Sequence, residues 1–404
     1  MIARPHRLRL LVGAGVVALG VVLSLTGHAT RAPSADAHRP PTLAHRSGLA
    51  WHWVGASAIP AGSSTSTDGG AGATTLGKRP KPAVTAARSE RAGLAWIMRQ
   101  LGASDRLIDA LAGRDIAGAV AELQRRALTG DPRAVNVLGE FAYQQCYLAR
   151  SPATLDEFAG LERANARRLP SSDAAWFDAT MHADLAYEQR VAAVCAREVN
   201  VPQIMTEVEA QANGGNAASA WLTSRYVDNL AESQQWLRMA AIEGFPQAQF
   251  ELAWAIIAHQ SGAAGGGPSP VTAGAMLRAS ERALPTAQGE LGVCEFYGCS
   301  GVAMDPQAAI RDARRAAERG DPDAMLAIGP KAQRSLIDPE EVSAWRIIAA
   351  SLEQRGCRTG GINLIWMNDI ETTLHGKPLD AAARALAHQY WSDYGARMMA
   401  ELGC

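Results

Sequence analysis

Three runs of sixteen residues each begin with a helix-capping residue and end with a glycine. They are DIAGAVAELQRRALTG (115–130), NLAESQQWLRMAAIEG (229–244) and DPQAAIRDARRAAERG (305–320). An Asp or Asn side chain accepts hydrogen bonds from the first amides of a helix, and glycine tolerates the left-handed backbone that ends one. Each run is therefore predicted to form one α-helix of roughly three to four turns.

A repeated tripeptide predicts how such helices are connected. Gly-Asp-Pro occurs twice, each time with an alanine two residues after the proline: Gly130, Asp131, Pro132 and Ala134, then Gly320, Asp321, Pro322 and Ala324. We expect the glycine to end one helix, the aspartate to cap the next, and the proline to occupy its first turn, where a missing N–H costs no hydrogen bond. A connection this short folds the two helices into an antiparallel hairpin.

Pairs of small residues recur along the chain at spacings of 39, 37 and 33 residues. The pairs are Ala240-Ala241, Ala279-Ser280, Ala316-Ala317 and Ala349-Ala350. Self-similarity at this period, in units built from helical hairpins, is typical of an α-solenoid. Each hairpin is then expected to bury its apolar face against its neighbours.

These patterns resemble the Sel-one-like repeat, a helical hairpin related to the tetratricopeptide repeat. The residues in register with it are Asp305, Ala316, Ala317, Gly320 and Ala324 in one copy, Trp236, Ala240, Ala241, Gly244 and Ala248 in a second, and Trp345 with Ala349 and Ala350 in a third. The third copy lacks the glycine of the repeat, because Glu353 stands at that position.

The resemblance implies an all-α protein whose residues 91–360 form a right-handed α-solenoid of antiparallel helical hairpins. It also implies a role shared by many members of that family, which act as scaffolds or adaptors for other proteins. Residues 361–404 depart from the repeat pattern and end in an alanine-rich stretch after Pro378, so we expect a C-terminal helical cap there.

The first 90 residues differ in composition from the rest. Three arginines precede an uncharged apolar run at residues 10–26, and Gly27-His28-Ala29 offers a cleavage site, so residues 1–29 are predicted to be a secretory signal peptide. A membrane anchor that is not cleaved is the alternative, because this run approaches the length that spans a bilayer. Residues 30–90 are rich in Pro, Ser, Gly and Ala and are predicted to be a disordered linker. We expect a periplasmic protein, either free or tethered to the inner membrane.

The charge balance argues against one class of partner. Residues 91–404 carry 29 Lys or Arg and 37 Asp or Glu, a net charge of −8. Nucleic-acid binding requires a positively charged surface, so nucleic acid is not an expected partner. A curved acidic groove that binds another envelope protein or a peptide is the expected interaction surface.

Six cysteines in an exported chain indicate disulfides. Pairing of neighbours along the chain predicts three bonds: Cys146–Cys195, Cys294–Cys299 and Cys357–Cys404. The middle pair does not share a helix face but can close across a helix end near Tyr297-Gly298, and the last pair would attach the tail to the final repeat. Buried free thiols are the alternative, and a zinc site is disfavoured because Cys-x-x-Cys pairs are absent.

No catalytic, metal or cofactor motif appears in the sequence. Glu232-Ser233 resembles the catalytic Glu-Ser of lytic transglycosylases, but the Gly-Leu-Met-Gln element of those enzymes is missing, so we interpret it as helix surface. His182 is interpreted as a histidine on a helix face. The sequence therefore predicts a non-enzymatic interaction protein without cofactors. A cell-wall-directed enzyme and a self-associating structural array are the alternatives.

Overall fold

The computed structural model describes residues 82–113, 115–147, 171–260, 270–299, 301–332, 335–357 and 381–404, and every regular element within those ranges is a helix. The first eight helices are α1 (Pro82–Gln100), α2 (Asp105–Ala112), α3 (Ile116–Leu128), α4 (Pro132–Phe141, continued by a π-helical turn at Ala142–Tyr147), α5 (Ser171–Glu198), α6 (Val201–Asn213), α7 (Ala217–Tyr226) and α8 (Leu230–Ile242). The remaining helices are α9 (Pro246–Gln260), α10 (Pro270–Ser280), α11 (Pro285–Tyr297), α12 (Pro306–Glu318), α13 (Asp323–Ile328, followed by a 3-10 turn at Gly329–Lys331), α14 (Pro339–Gln354) and α15 (Ala381–Leu402).

The three runs that the sequence singled out are confirmed as helices α3, α8 and α12. Each begins after the predicted cap: the side chains of Asp115, Asn229 and Asp305 accept hydrogen bonds from amides in the first turns of their helices. The glycines that follow these helices have positive φ angles of 83° at Gly130, 89° at Gly244 and 102° at Gly320. Capping and left-handed glycine therefore set the helix lengths.

The first Gly-Asp-Pro connection has the predicted geometry. Asp131 caps α4, because its Oδ1 accepts from the amides of Arg133 at 3.0 Å and Ala134 at 3.3 Å. Pro132 occupies the first turn of α4, as expected. The other Asp131 oxygen accepts from Arg126 Nε at 2.9 Å, and this hydrogen bond lowers the pKa of the Asp131 carboxyl.

The second Gly-Asp-Pro connection differs, and the prediction for it was wrong. Helix α13 begins at Asp323, so Pro322 precedes the helix and Asp321 is not its N-cap. Asp321 instead turns inward, where it is 3% exposed, and its Oδ1 accepts from the amide of Asp323 at 3.2 Å. Burial raises the pKa of Asp321, the opposite of the shift at Asp131.

Most successive helices pack against one another along the chain, as an α-solenoid requires. The small residues of the repeats lie at these contacts and are almost fully buried: Ala134, Ala240, Ala241, Ala248, Ala316, Ala317, Ala324 and Ala349. Helices α11 and α12 cross closely. A Cβ atom at Gly292 would lie 2.9 Å from the carbonyl oxygen of Ala309, so the two backbones touch at this point.

Among the described residues, the core consists of two apolar clusters. One extends from α1 to α11 and contains Trp221, and the other lies among α12–α15 and contains Trp345. Each of these indoles is 1% exposed and lies in the core between helices.

All six cysteines form the predicted disulfides. The Cα–Cα distances are 5.3 Å for Cys146–Cys195, 4.7 Å for Cys294–Cys299 and 5.1 Å for Cys357–Cys404. The middle bond closes across the end of α11 as expected, because Gly298 takes a left-handed φ of 76° and returns the chain toward the helix.

The last helix contacts both the end and the beginning of the array. Tyr390 of α15 stacks on Trp345 of α14, with ring centroids 4.8 Å apart. At the other end of α15, Arg99 Nη1 of α1 donates to the carbonyl oxygen of Ala400 at 2.7 Å, and Arg91 donates to that of Gly403. Helix α15 thus packs on α14 and also contacts the first helix.

The N-terminal predictions fall largely outside the described residues. This holds for the segment 1–29, with its apolar run at 10–26, and for most of the predicted linker at 30–90. The linker boundary differs from the prediction, because α1 begins at Pro82, which is suited to the first turn of a helix. In the described ranges, no helix combines the length and apolar character needed to cross a membrane.

Candidate functional site

A cleft of about 270 Å³ opens where the π-helical turn, α6, the end of α7 and the start of α8 meet. Its lining residues are Tyr147, Met205, Glu209, Thr223, Tyr226, Val227, Asp228 and Glu232. We call it the acidic cleft. Three of these residues carry carboxylates and two carry phenol rings, and none of the eight is a lysine, arginine or histidine.

The aromatic wall of the cleft comes from the π-helical turn and the end of α7. The rings of Tyr143 and Tyr147 stack with centroids 5.9 Å apart, and the ring of Tyr226 packs edge-on against Tyr147 at 5.3 Å. The disulfide Cys146–Cys195 ties this turn to α5. The insertion of a residue into a helical turn re-aims side chains, and such π-turns are frequent at functional sites.

The acidic side of the cleft follows from two helix ends. Val227 takes an extended conformation with φ −69° and ψ 137°, so the chain leaves α7, passes through Asp228 and is capped again by Asn229 at the start of α8. Glu232 lies in the first turn of α8, where the helix dipole favours a negative charge. Glu209 reaches the cleft from the exposed face of α6.

A partly buried cation, Arg225, lies behind the aromatic wall. The guanidinium of Arg225 lies 4.5 Å from the ring centre of Trp221 and 5.2 Å from that of Tyr143. Its Nη1 donates to Glu140, a carboxylate that is 2% exposed, at 3.1 Å and 3.2 Å. The charge of Arg225 is thus paired with a buried carboxylate.

A second buried carboxylate completes this core network. Glu251 of α9 accepts from Trp221 Nε1 at 3.1 Å and from Gln247 Nε2 at 2.8 Å. Burial raises the pKa of Glu251, although the charge of Arg225 opposes the shift. The indole of Trp221 is therefore held in place from both sides, and it supports the helix that carries Tyr226.

A polar network sets the position of α7 relative to α4. Ser219 Oγ donates to Asn136 Oδ1 at 2.5 Å, and Asn136 Nδ2 donates to Asn216 Oδ1 at 3.2 Å. The same Asn216 oxygen caps α7 by accepting from the Ser219 amide at 2.9 Å. Because these groups are buried and mutually bonded, they define one register between the helices, and with it the position of Tyr226 beside the π-helical turn.

Carboxyls with raised pKa values gather elsewhere, on α11 and its neighbours. Burial, reinforced by the charge of Asp321, raises the pKa of Glu290 to about 8. Burial and the nearby Asp312 raise the pKa of Glu295 to about 7. None of these residues lines the acidic cleft. Among the described residues, no group of His, Cys, Asp and Glu could hold a metal ion.

The structure separates the residues predicted from the sequence into two sets. The repeat residues serve packing and capping, and the cysteines form disulfides; His182 lies on an exposed face of α5, 3.5 Å from Asp178. Only Glu232, which was interpreted as helix surface, lines the cleft, and Ser233 beside it donates to the carbonyl oxygen of Ser224 at 2.6 Å.

The other charged and aromatic residues of the cleft were not found from the sequence: Tyr147, Glu209, Tyr226 and Asp228. Their only signal was the acidic surplus of the chain, which does not single out positions.

Comparison with known proteins gave remote similarities only. No protein-family model and no curated protein matches the sequence. One similar solved structure is a protective antigen of uropathogenic Escherichia coli strains that displays an SLR (Sel1-like repeat) fold. The two sequences are 19% identical, and the TM-score is 0.37 over 71% of this chain. The match covers 66% of the antigen, slightly less than two thirds of its length. Another is a Sel1 repeat protein from Oxalobacter formigenes, with 18% identity and a TM-score of 0.34 over 84% of this chain and 94% of that chain. Both similar structures are Sel1 repeat proteins.

Proposed function

We propose that this chain is a non-enzymatic, exported helical-repeat protein that mediates protein–protein interactions in the bacterial cell envelope, as a scaffold or adaptor. The observation that carries the proposal is the acidic cleft, a concavity lined by three carboxylates and two phenol rings. Repeat arrays commonly bind partners through concave surfaces of this kind.

A further feature supports the proposal. Three disulfides are expected in a compartment that oxidises thiols, and they fit an exported protein.

In-cell crosslinking of the full chain, tagged after Cys404 and expressed in its own host, tests this proposal. We expect one envelope protein to co-purify reproducibly, and to be retained when residues 30–81 are replaced by an unrelated flexible segment of equal length. Recovery of crosslinked copies of this chain alone would favour the self-associating array. Recovery of the chain without any crosslinked protein, together with cleavage of cell-wall polymer by the purified chain, would overturn the proposal in favour of an enzyme.

A further inference from the structure

The first and last helices of the described array are in contact, and most of this contact is polar. We infer that α1 and α15 form an electrostatic clasp, which closes the array end to end and opens before the helices themselves unfold. The clasp consists of Arg91 and Arg99 of α1 together with the last turn of α15, residues 400–403. This conformational device belongs to the fold and does not depend on the proposed function.

The two arginines satisfy carbonyl groups at the end of α15. Arg99 Nη1 donates to the carbonyl oxygen of Ala400 at 2.7 Å and to that of Glu401 at 3.5 Å. Arg91 Nη1 donates to the carbonyl oxygen of Gly403. The last carbonyls of a helix have no partner within the helix and carry a partial negative charge, which cations stabilise. Two cations from a helix about 300 positions earlier in the chain therefore serve as the C-terminal cap of α15.

Exposed carboxylates of α2 orient both arginines. Asp105 Oδ1 accepts from Arg99 Nη2 at 2.7 Å and from Arg91 Nη2 at 3.2 Å. Arg91 Nε also donates to Asp109 Oδ1 at 2.5 Å. The side chains of the two aspartates are 60% and 59% exposed, and ion pairs at such positions contribute little and weaken as salt is added. The clasp is therefore weaker than a packed helix interface, and it is sensitive to ionic strength.

A close approach of the two backbones completes the clasp. Gly403 has a left-handed φ of 75°, and a Cβ atom at this position would overlap the Cβ of Ala95 in α1. The next residue, Cys404, is bonded to Cys357. The disulfide thus holds the last turn of α15 where α1 contacts it, and only a glycine fits at the contact itself.

The clasp connects the two apolar clusters of the core. Helix α1 contributes Met98 to the first cluster, and α15 contributes Met398 to the second. The clusters also meet where α11 crosses α12, at the close approach of Gly292 to the backbone of Ala309. Because that crossing is packed backbone to backbone, whereas the clasp is polar and partly exposed, the clasp is the connection that opens first.

Amide hydrogen exchange of the full chain, measured by mass spectrometry, tests the clasp. Arg91→Met with Arg99→Met removes both cations, and we expect the amides of residues 398–404 to exchange about tenfold faster because the last turn of α15 loses its cap. Exchange in α11 and α12 should stay unchanged. The control, Arg106→Met with Arg311→Met, removes two exposed arginines of α2 and α12 and should leave the last turn of α15 protected.

A pair of glycine variants tests the contact from the other side. Gly403→Ala and Gly244→Ala both place an alanine at a positive φ, of 75° and 89°, but only the first brings a Cβ atom against α1. We expect only Gly403→Ala to speed exchange at residues 97–103, the end of α1, by about threefold. In the parent protein, raising the salt concentration from about 50 mM to about 500 mM should speed exchange at both ends of the array, since exposed ion pairs are screened.

Three results would overturn the inference. The first is equal exchange at residues 398–404 in the arginine variant and its control. The second is faster exchange to the same extent throughout the arginine variant, because the ends of the array would then not open ahead of the rest. The third is equal exchange at the end of α1 in the two glycine variants.

Discussion

Glu290 provides a test of the energetics of the array. Its carboxyl lies on α11, partly buried and close to Asp321, and its pKa is raised from 4.5 to about 8. A raised folded-state pKa means that the folded protein binds the proton more tightly than the unfolded chain. The contribution of this group to stability is therefore fully present below pH 4.5 and is lost as the pH rises toward about 8.

The size of the stability change follows from the pKa shift of Glu290. At 1.36 kcal/mol per pKa unit, the change between pH 5 and pH 8 would be about 3.5 kcal/mol if the group were fully shielded from water. Because part of the Glu290 side chain reaches solvent, screening reduces this, and we expect a loss of about 1–2 kcal/mol in the free energy of unfolding. Glu290→Gln removes the titrating proton and the repulsion with Asp321, so the variant should be more stable than the parent protein at pH 8 and similar to it at pH 5.

Urea unfolding followed by circular dichroism at pH 5 and pH 8 checks this prediction. The control is Glu243→Gln, which removes an exposed carboxylate at the end of α8 and should leave the pH dependence unchanged. If Glu290→Gln loses stability at both pH values, or keeps the pH dependence of the parent protein, then burial does not hold the Glu290 carboxyl protonated and the reasoning fails.

Three further changes have effects that can be worked out from the structure. Asp131→Ala removes the cap of α4 and should lower the free energy of unfolding, measured in urea, by about 1 kcal/mol. Asp131→Asn keeps a capping oxygen and should lose less than half of that. Equal losses in the two variants would show that the cap contributes little. Gly292→Ala should destabilise by about 1–2 kcal/mol despite the better helix propensity of alanine, because the new Cβ meets the Ala309 carbonyl at 2.9 Å, and a higher thermal midpoint would contradict that contact. Cys357→Ser with Cys404→Ser removes the disulfide that closes a loop of 47 residues, and the chain-entropy model puts the loss in the free energy of unfolding at about 4 kcal/mol. Limited proteolysis of this variant should release α15 first. An unchanged cleavage pattern would show that the helix contacts of α15 hold it in place without the disulfide.

The helical array could be predicted because its signals are local. Asp115, Asn229 and Asp305 cap their own helices, and a glycine ends each of those helices within sixteen residues of its cap. Capping depends on amides two or three residues away, so the pattern survives in the sequence whatever packs around it. The disulfides were predictable for a similar reason, since each links two cysteines that follow one another in the sequence with no other cysteine between them.

Asp131 and Asp321 show that local sequence does not determine the environment of a turn residue. Both occur in the same tripeptide, but Asp131 is partly exposed and bonded to Arg126, whereas Asp321 is buried beside Glu290. Which of these occurs depends on the helix that packs over the turn, and the tripeptide carries no information about it. The same holds for α15, whose contact with Arg91 and Arg99 joins residues about 300 positions apart.

The acidic cleft was hidden from sequence analysis because it is assembled from distant segments. Tyr147 ends one helical element, Glu209 lies on another, and Tyr226 to Glu232 span the next connection. No two of these segments are related by the repeat period, and each residue alone is ordinary helix surface. Only the packing of α4, α6, α7 and α8 brings the carboxylates and rings together.

The most direct test of the account is site-specific photo-crosslinking from the acidic cleft in living cells. A photoreactive phenylalanine derivative replaces Tyr147 in the cleft, and in a control chain it replaces Leu128, which is 84% exposed at the end of α3. The account predicts that position 147, and not position 128, forms an adduct with one envelope protein. Adducts of equal yield at both positions, or none at position 147, would contradict the claim that this cleft is the surface through which the protein binds its partner.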